Sequence, residues 1–146
     1  MKFGWWSIVA AIVLMMLGVA LYFSASGFLN VYVIPLLQGF DPEQTDRLIL
    51  IVLVMISFVA ALIGGFFSVF LFEMAGGGYR PLLMGCVFAL PAILMQMYFV
   101  IVGEMPAEMM TVYILEALMV LLAFVLAAFA GRMVFRRFFS DNVHPA

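Results

Sequence analysis

The chain carries little charge. Asp, Glu, Lys and Arg make up 10% of its 146 residues, against about 25% in a soluble globular domain. So few charges cannot cover a water-facing surface, which excludes an ordinary soluble fold. Cysteine is nearly absent: Cys86 stands alone. A single thiol excludes an intrachain disulfide and any multi-cysteine metal cluster. Histidine is limited to His144 in a short polar tail, so the apolar segments hold neither a histidine-ligated haem nor a Ser-His or Cys-His pair. There is no G-x-x-x-x-G-K-[ST] phosphate loop and no H-E-x-x-H zinc motif. The glycine-rich "AGGGYR" at 75–80 does not lie between a strand and a helix, so it is not a phosphate cradle. Without a candidate nucleophile or metal set, the expectation is a non-catalytic protein with no cofactor and no nucleic-acid partner.

What the chain does have is hydrocarbon-compatible length. It is 68% hydrophobic, and its apolar runs fall into four segments of about 4–27, 47–72, 81–102 and 107–134. Each is long enough to cross a core of ~30 Å at about 1.5 Å per residue. Barrel strands would alternate apolar and polar over about ten residues; these runs are continuously apolar. The fold class expected is an all-α integral membrane protein, a four-transmembrane-helix bundle forming one domain over 1–138, with a polar tail at 139–146. The first run, with Lys2 ahead of it and "SAS" at 24–26, imitates a signal peptide. It exceeds the ~7–15 residues of a signal h-region, so an uncleaved span is expected.

Proline marks the starts. Its missing N–H costs nothing at the first helical position, and Pro42, Pro81 and Pro106 each open a run. Asp41 before Pro42 is a natural N-cap. Between the first two spans, residues 28–40 are apolar but broken by Asn30, Pro35 and Gly39. They are expected to form an interfacial or re-entrant segment. Lys2, Arg80, Arg132, Arg136 and Arg137 fall on one side of this topology and Arg47 on the other. By the positive-inside rule both termini face the cytoplasm, with the inner membrane of a bacterium as the expected location. The basic, aromatic end of the fourth span suits anionic lipid.

Helices in lipid associate by close packing of small residues, because lipid tails are as apolar as leucine. Small residues recur at helical spacing: Ser57, Ala61, Gly64 and Ser68 in the second span, Gly85 and Ala89 in the third, Ala123, Ala127 and Gly131 in the fourth. Further small residues flank these rows, among them Ala60, Gly65, Ala128, Ala130, Ala20 and Ser24. They read as close-approach surface beyond what four helices need, and so as a sign of other integral membrane subunits alongside lipid.

One carboxylate lies inside hydrocarbon. Glu116 interrupts "TVYILEALMVLLAFVLAAFAG" and shares the small face of the fourth span, seven residues before Ala123. Gln96 shares the small face of the third. Counted outward from the turn between them, Gln96, Tyr113 and Glu116 come to similar depth, so an intramembrane polar cluster of Glu116, Gln96 and Tyr113 is expected. The methionines number 13. Met105 and Met109 are spaced to offer two soft thioethers to Cu(I), but packing is the expected role and no metal is expected. The function expected is a non-catalytic accessory or assembly subunit of a larger membrane complex. The alternative is a small proton- or ion-coupled transporter or channel component that uses Glu116.

Overall fold

The computed structural model describes residues 5–37, 42–75, 80–103 and 110–139; within these, the side chains of 5–7, 42–47 and 99 are outside the description. Four helices make up the fold: α1 (Trp5–Leu37), α2 (Pro42–Met74), α3 (Pro81–Val102) and α4 (Met110–Phe139). Among the described residues there is no strand, and each helix is long and apolar enough to cross a membrane. Pro42 and Pro81 are the first residues of α2 and α3, as their missing N–H groups favour. Pro106, Met105 and Met109 lie outside the described residues, and so does any site the two methionines might form.

Two boundaries differ from those expected. Residues 28–37 do not break away from the first span: α1 runs unbroken to Leu37, with Pro35 inside it. Pro35 lies in the last turn, two residues before the end, so its missing N–H costs one helical bond, that to the Val31 carbonyl, close to where the helix stops. A break was expected there because Asn30 and Pro35 are weak helix formers; the apolar run between them holds the helix together. Residues 38–40 lie outside the described residues. At the other end, α4 passes the expected limit near 134 and reaches Phe139. Arg136 and Arg137 occupy its last turn, where cations favour the negative end of the helix dipole. Phe139 also stacks on Phe135 and meets Phe70 of α2 edge-on.

Pairings between helices give the topology. α1 lies antiparallel to α2, with Gly18 opposite Ser68 and Tyr22 opposite Gly64. α3 lies antiparallel to α4, with Gly85 on Val125. α2 and α4 run in the same direction, matching Gly65 to Ala127 and Phe66 to Gly131. α2 and α4 form the most extensive pair, α1 packs on α2, α3 packs on α4, and a lighter α1–α3 contact closes the ring. The core is built of small side chains around a few large ones. Ala60, Ala61, Ala89, Ala92, Ala123 and Ala128 are fully buried, with Phe124, Val69 and Val120 between them.

The close approaches need glycine. A Cβ at Gly64 would stand 2.5 Å from the Gly18 carbonyl oxygen, and one at Gly85 would stand 2.5 Å from Val125 Cα. Both obstacles are backbone, which cannot swing aside. All of Ser57, Ala61, Gly64, Ser68, Gly85, Ala89, Ala123, Ala127 and Gly131 are buried. Three of the flanking small residues pack inside the bundle: Ala60, Gly65 and Ala128 are also buried, because α2 and α4 each have neighbours on two sides and need two narrow faces. Of the flanking set, Ala20 and Ser24 stand exposed on α1.

Gly85→Leu should push α3 off α4 and destabilise the bundle by about 1–3 kcal/mol, the usual cost of overpacking. Gly27, where an added Cβ meets nothing within 4 Å, is the control. Gly27→Ala should be neutral or gain up to ~1 kcal/mol through better helix propensity. Unfolding midpoints in mixed detergent micelles read both; equal effects of the two changes would contradict the crossing.

Candidate functional site

The site forms where four polar side chains, one from each helix, meet between the apolar helices. Glu116 of α4 lies six residues into its helix and Gln96 of α3 six residues before the end of its own. The antiparallel α3–α4 pairing brings them level. Gln96 Nε2 donates to Glu116 Oε1 at 3.0 Å and to the Tyr22 hydroxyl of α1 at 2.8 Å. Ser57 Oγ of α2 donates to Glu116 Oε1. The bonds link a ring of four side chains, one from each helix: Gln96 donates to Tyr22 and to Glu116, and Ser57 donates to Glu116.

This ring differs in membership from the expected cluster. Glu116 and Gln96 are bonded to one another. Tyr113 is half-buried and lines, with Gln96, a cavity between α3 and α4; the bonds just described reach Glu116 from Ser57 and Gln96. Tyr22 and Ser57 complete the ring. Ser57 had been read only as a packing residue, and its place on the small face of α2 is what brings its hydroxyl to α4. Tyr22 is 2% exposed. A hydroxyl in the middle of an apolar run, level with a carboxylate three helices away, was the available signal. It requires the α1–α3 adjacency, which spacing within one helix cannot supply.

A second polar contact lies at the arginine-rich end. Glu73 of α2 is 9% exposed, and its Oε1 stands 3.9 Å from Arg132 Nε of α4. That is an ion pair beyond hydrogen-bond length, and Glu73 Oε1 has no hydrogen-bond partner. With a second span ending near 72, Glu73 reads as a loop residue. α2 continues through Met74, which draws it into the last turn against α4. Cys86 is half-buried and free, and among the described residues no group of three His, Cys, Asp or Glu side chains could hold a metal ion.

The ring can hold a carboxyl group among apolar helices. Comparison with known proteins finds no matching family model, no similar curated protein and no similar solved structure. Function has to be argued from the arrangement itself.

Proposed function

We propose that this chain is a non-catalytic accessory or assembly subunit of a larger membrane complex. One observation carries the reading: helices of unequal apolar length sit in one bundle. The apolar run of α1 covers Ile8–Leu37, 30 residues, and that of α3 covers Pro81–Val102, 22 residues. At 1.5 Å per residue these are about 45 Å and about 33 Å, against a hydrocarbon core of ~30 Å. Fitting α1 by tilt alone needs about 48°, beyond the usual range of roughly 0–40°. The same tilt would leave α3, its parallel neighbour, only about 22 Å tall and too short to span. The excess of α1 therefore extends past the membrane.

The close contacts tell which end projects. Tyr22 packs on Gly64 of α2, Gly65 on Phe124 and Ala127 of α4, and Gly85 of α3 on Val125, so the backbone of Tyr22 lies near the level of Gly85 and the excess of α1 over α3 is at its N-terminal end. Ile12, Val13 and Met16 stand there and are 51%, 59% and 58% exposed. Apolar surface projecting beyond lipid is the mark of an interaction site. The occupant we assign is an apolar face of another integral membrane subunit. Native mass spectrometry after extraction in mild detergent should find the chain in an assembly heavier than its own 16.2 kDa. Val13→Glu should release it as a folded monomer. A wild-type chain that runs only as a free monomer would overturn the subunit reading.

The orientation belongs to the same proposal: both termini in the cytoplasm, in a bacterial inner membrane. Arg80, Arg132, Arg136 and Arg137 gather at one end of the bundle, where α3 begins and α4 ends, and that is the end the positive-inside rule assigns to the cytoplasm. Cysteines placed at 142 and 44 should be labelled from the cytoplasmic and the outer side respectively. Cytoplasmic labelling of position 44 would reverse the assignment.

The ring itself supports a second reading, a proton- or ion-coupled transport component. Intramembrane carboxylates are rare, and they recur on proton and ion paths. Here the Ser57 hydroxyl and the Gln96 amide both donate to Glu116. Glu116→Gln keeps shape and hydrogen-bonding groups while removing the titratable group. Under the subunit reading the variant accumulates and assembles as the wild type does. Under the transport reading it assembles, and proton flux into proteoliposomes, measured with an entrapped pH dye, is abolished. Flux equal to wild type would exclude the second reading.

A further inference from the structure

The two oxygens of Glu116 are not treated alike. Ser57 Oγ and Gln96 Nε2 both donate to Oε1. An ionised carboxylate spreads its charge over two oxygens and can take donors on each. A carboxylic acid is asymmetric: one oxygen is a carbonyl that accepts, and the other carries a proton to give. Two donors on one oxygen fit the acid.

Gln96 shows the other half of that arrangement. Its Nε2 donates to Tyr22 and to Glu116, while its Oε1 is buried and has no hydrogen-bond partner. A buried acceptor without a donor is costly, most of all in apolar surroundings. Nothing from outside the bundle reaches that oxygen, so its donor has to come from within the ring. Ser57 has given its one hydroxyl proton to Glu116. The Tyr22 hydroxyl meets the nitrogen of the amide. The remaining source is a proton on Glu116 itself. An amide and a carboxylic acid pair through two parallel bonds, N–H to carbonyl and O–H to carbonyl. The 3.0 Å bond from Gln96 Nε2 to Glu116 Oε1 is the first of these.

Charge points the same way. The side chains that face Glu116 across the ring are Tyr22 of α1, Ser57 of α2 and Gln96 of α3, none of them cationic. Arg132 is sixteen residues further along α4 and Arg80 sixteen residues ahead of Gln96, each about 24 Å away along a helix at 1.5 Å per residue. Arg47 stands ten residues before Ser57, about 15 Å along α2. An ionised carboxyl group among apolar helices with no cation beside it costs far more than a neutral one.

We propose that Glu116 is a proton-binding site: it is held as the neutral acid, with Oε1 accepting from Ser57 and Gln96 and with Oε2 carrying a proton donated to Gln96 Oε1. This holds for a subunit and for a transporter alike. In the first the proton lets an acid sit inside the bundle; in the second it is the ion that the chain carries.

The test is infrared spectroscopy of the full chain in lipid nanodiscs at about pH 8, where a glutamate in water is ionised. The wild type should show the C=O stretch of a protonated carboxylic acid. Glu116→Gln should lose that band and keep its carboxylate intensity. Glu73, beside Arg132, is a second buried acid, and Glu73→Gln should retain the band, which assigns it even where Glu116→Gln does not fold. Gln96→Leu removes both halves of the pair, and the band should remain but move to higher wavenumber. A wild-type spectrum with carboxylate bands alone would overturn the proposal, and so would a band that Glu73→Gln removes. A band left unmoved by Gln96→Leu would overturn the pairing with Gln96. The spectrum is read without any flux measurement, so failure of the transport reading and failure of this one are told apart.

Discussion

A carboxyl group inside hydrocarbon must be hydrogen-bonded by protein, because nothing else there can do it. That constraint organises this bundle. Glu116 draws a donor from α2 and a donor from α3, and the α3 donor in turn ties in α1 through Tyr22. Each helix is thereby fixed in height and rotation against the others. A slip of one residue on any helix turns its polar side chain by about 100° and leaves the carboxyl group short of a donor. Dispersion packing alone has no such sharp optimum along a smooth apolar helix. Hydrogen bonds between membrane helices average only about 0.6 kcal/mol. Their role here is less to add stability than to select one register among several of similar packing.

Close packing makes that register reachable. Hydrogen bonds of 2.8–3.0 Å between side chains on three helices require the backbones to lie near one another. Gly18 against Gly64 and Gly85 against Val125 bring two helix pairs together. Ser68 adds a local bond to the Gly64 carbonyl oxygen at 2.7 Å, which satisfies its hydroxyl without a partner helix. α2 and α4 carry small residues on two faces because each lies between two neighbours. The outer helices α1 and α3 are thinner in contacts and carry much of the exposed apolar surface, including Met16, Leu17, Leu94 and Tyr98.

Much of the architecture was legible in the sequence because its causes are local. Apolar length gives the four spans; Pro42 and Pro81 give two starts; and small residues at helical spacing give the packed faces, whose positions are all buried. Glu116 and Gln96 were legible as partners because one short turn relates them. Tyr22 and Ser57 were not legible as members of the ring. Their place depends on which helices are neighbours, and that is a property of the whole bundle. The same limit explains the flanking small residues. Ala60, Gly65 and Ala128 look surplus when helices are counted as having one packed face each, and they are needed once α2 and α4 have two. The helix through 28–37 failed to read as helix for the opposite reason: Asn30 and Pro35 were weighed one at a time, while helix propagation is cooperative along an apolar run.

The ring also has an order in time. A ribosome delivers Tyr22, Ser57 and Gln96 before Glu116, since they precede it in the chain. Until α4 enters the membrane, three hydroxyl and amide groups stand in a three-helix intermediate without the acceptor on which their bonds converge. The last helix carries the costly residue, and it arrives where matching donors have already been gathered. Glu116 thus enters hydrocarbon against a prepared set of partners, and a chain cut short before α4 keeps its donors exposed. A product cut short before α4 therefore differs from a chain that has it by three polar side chains left without their common acceptor.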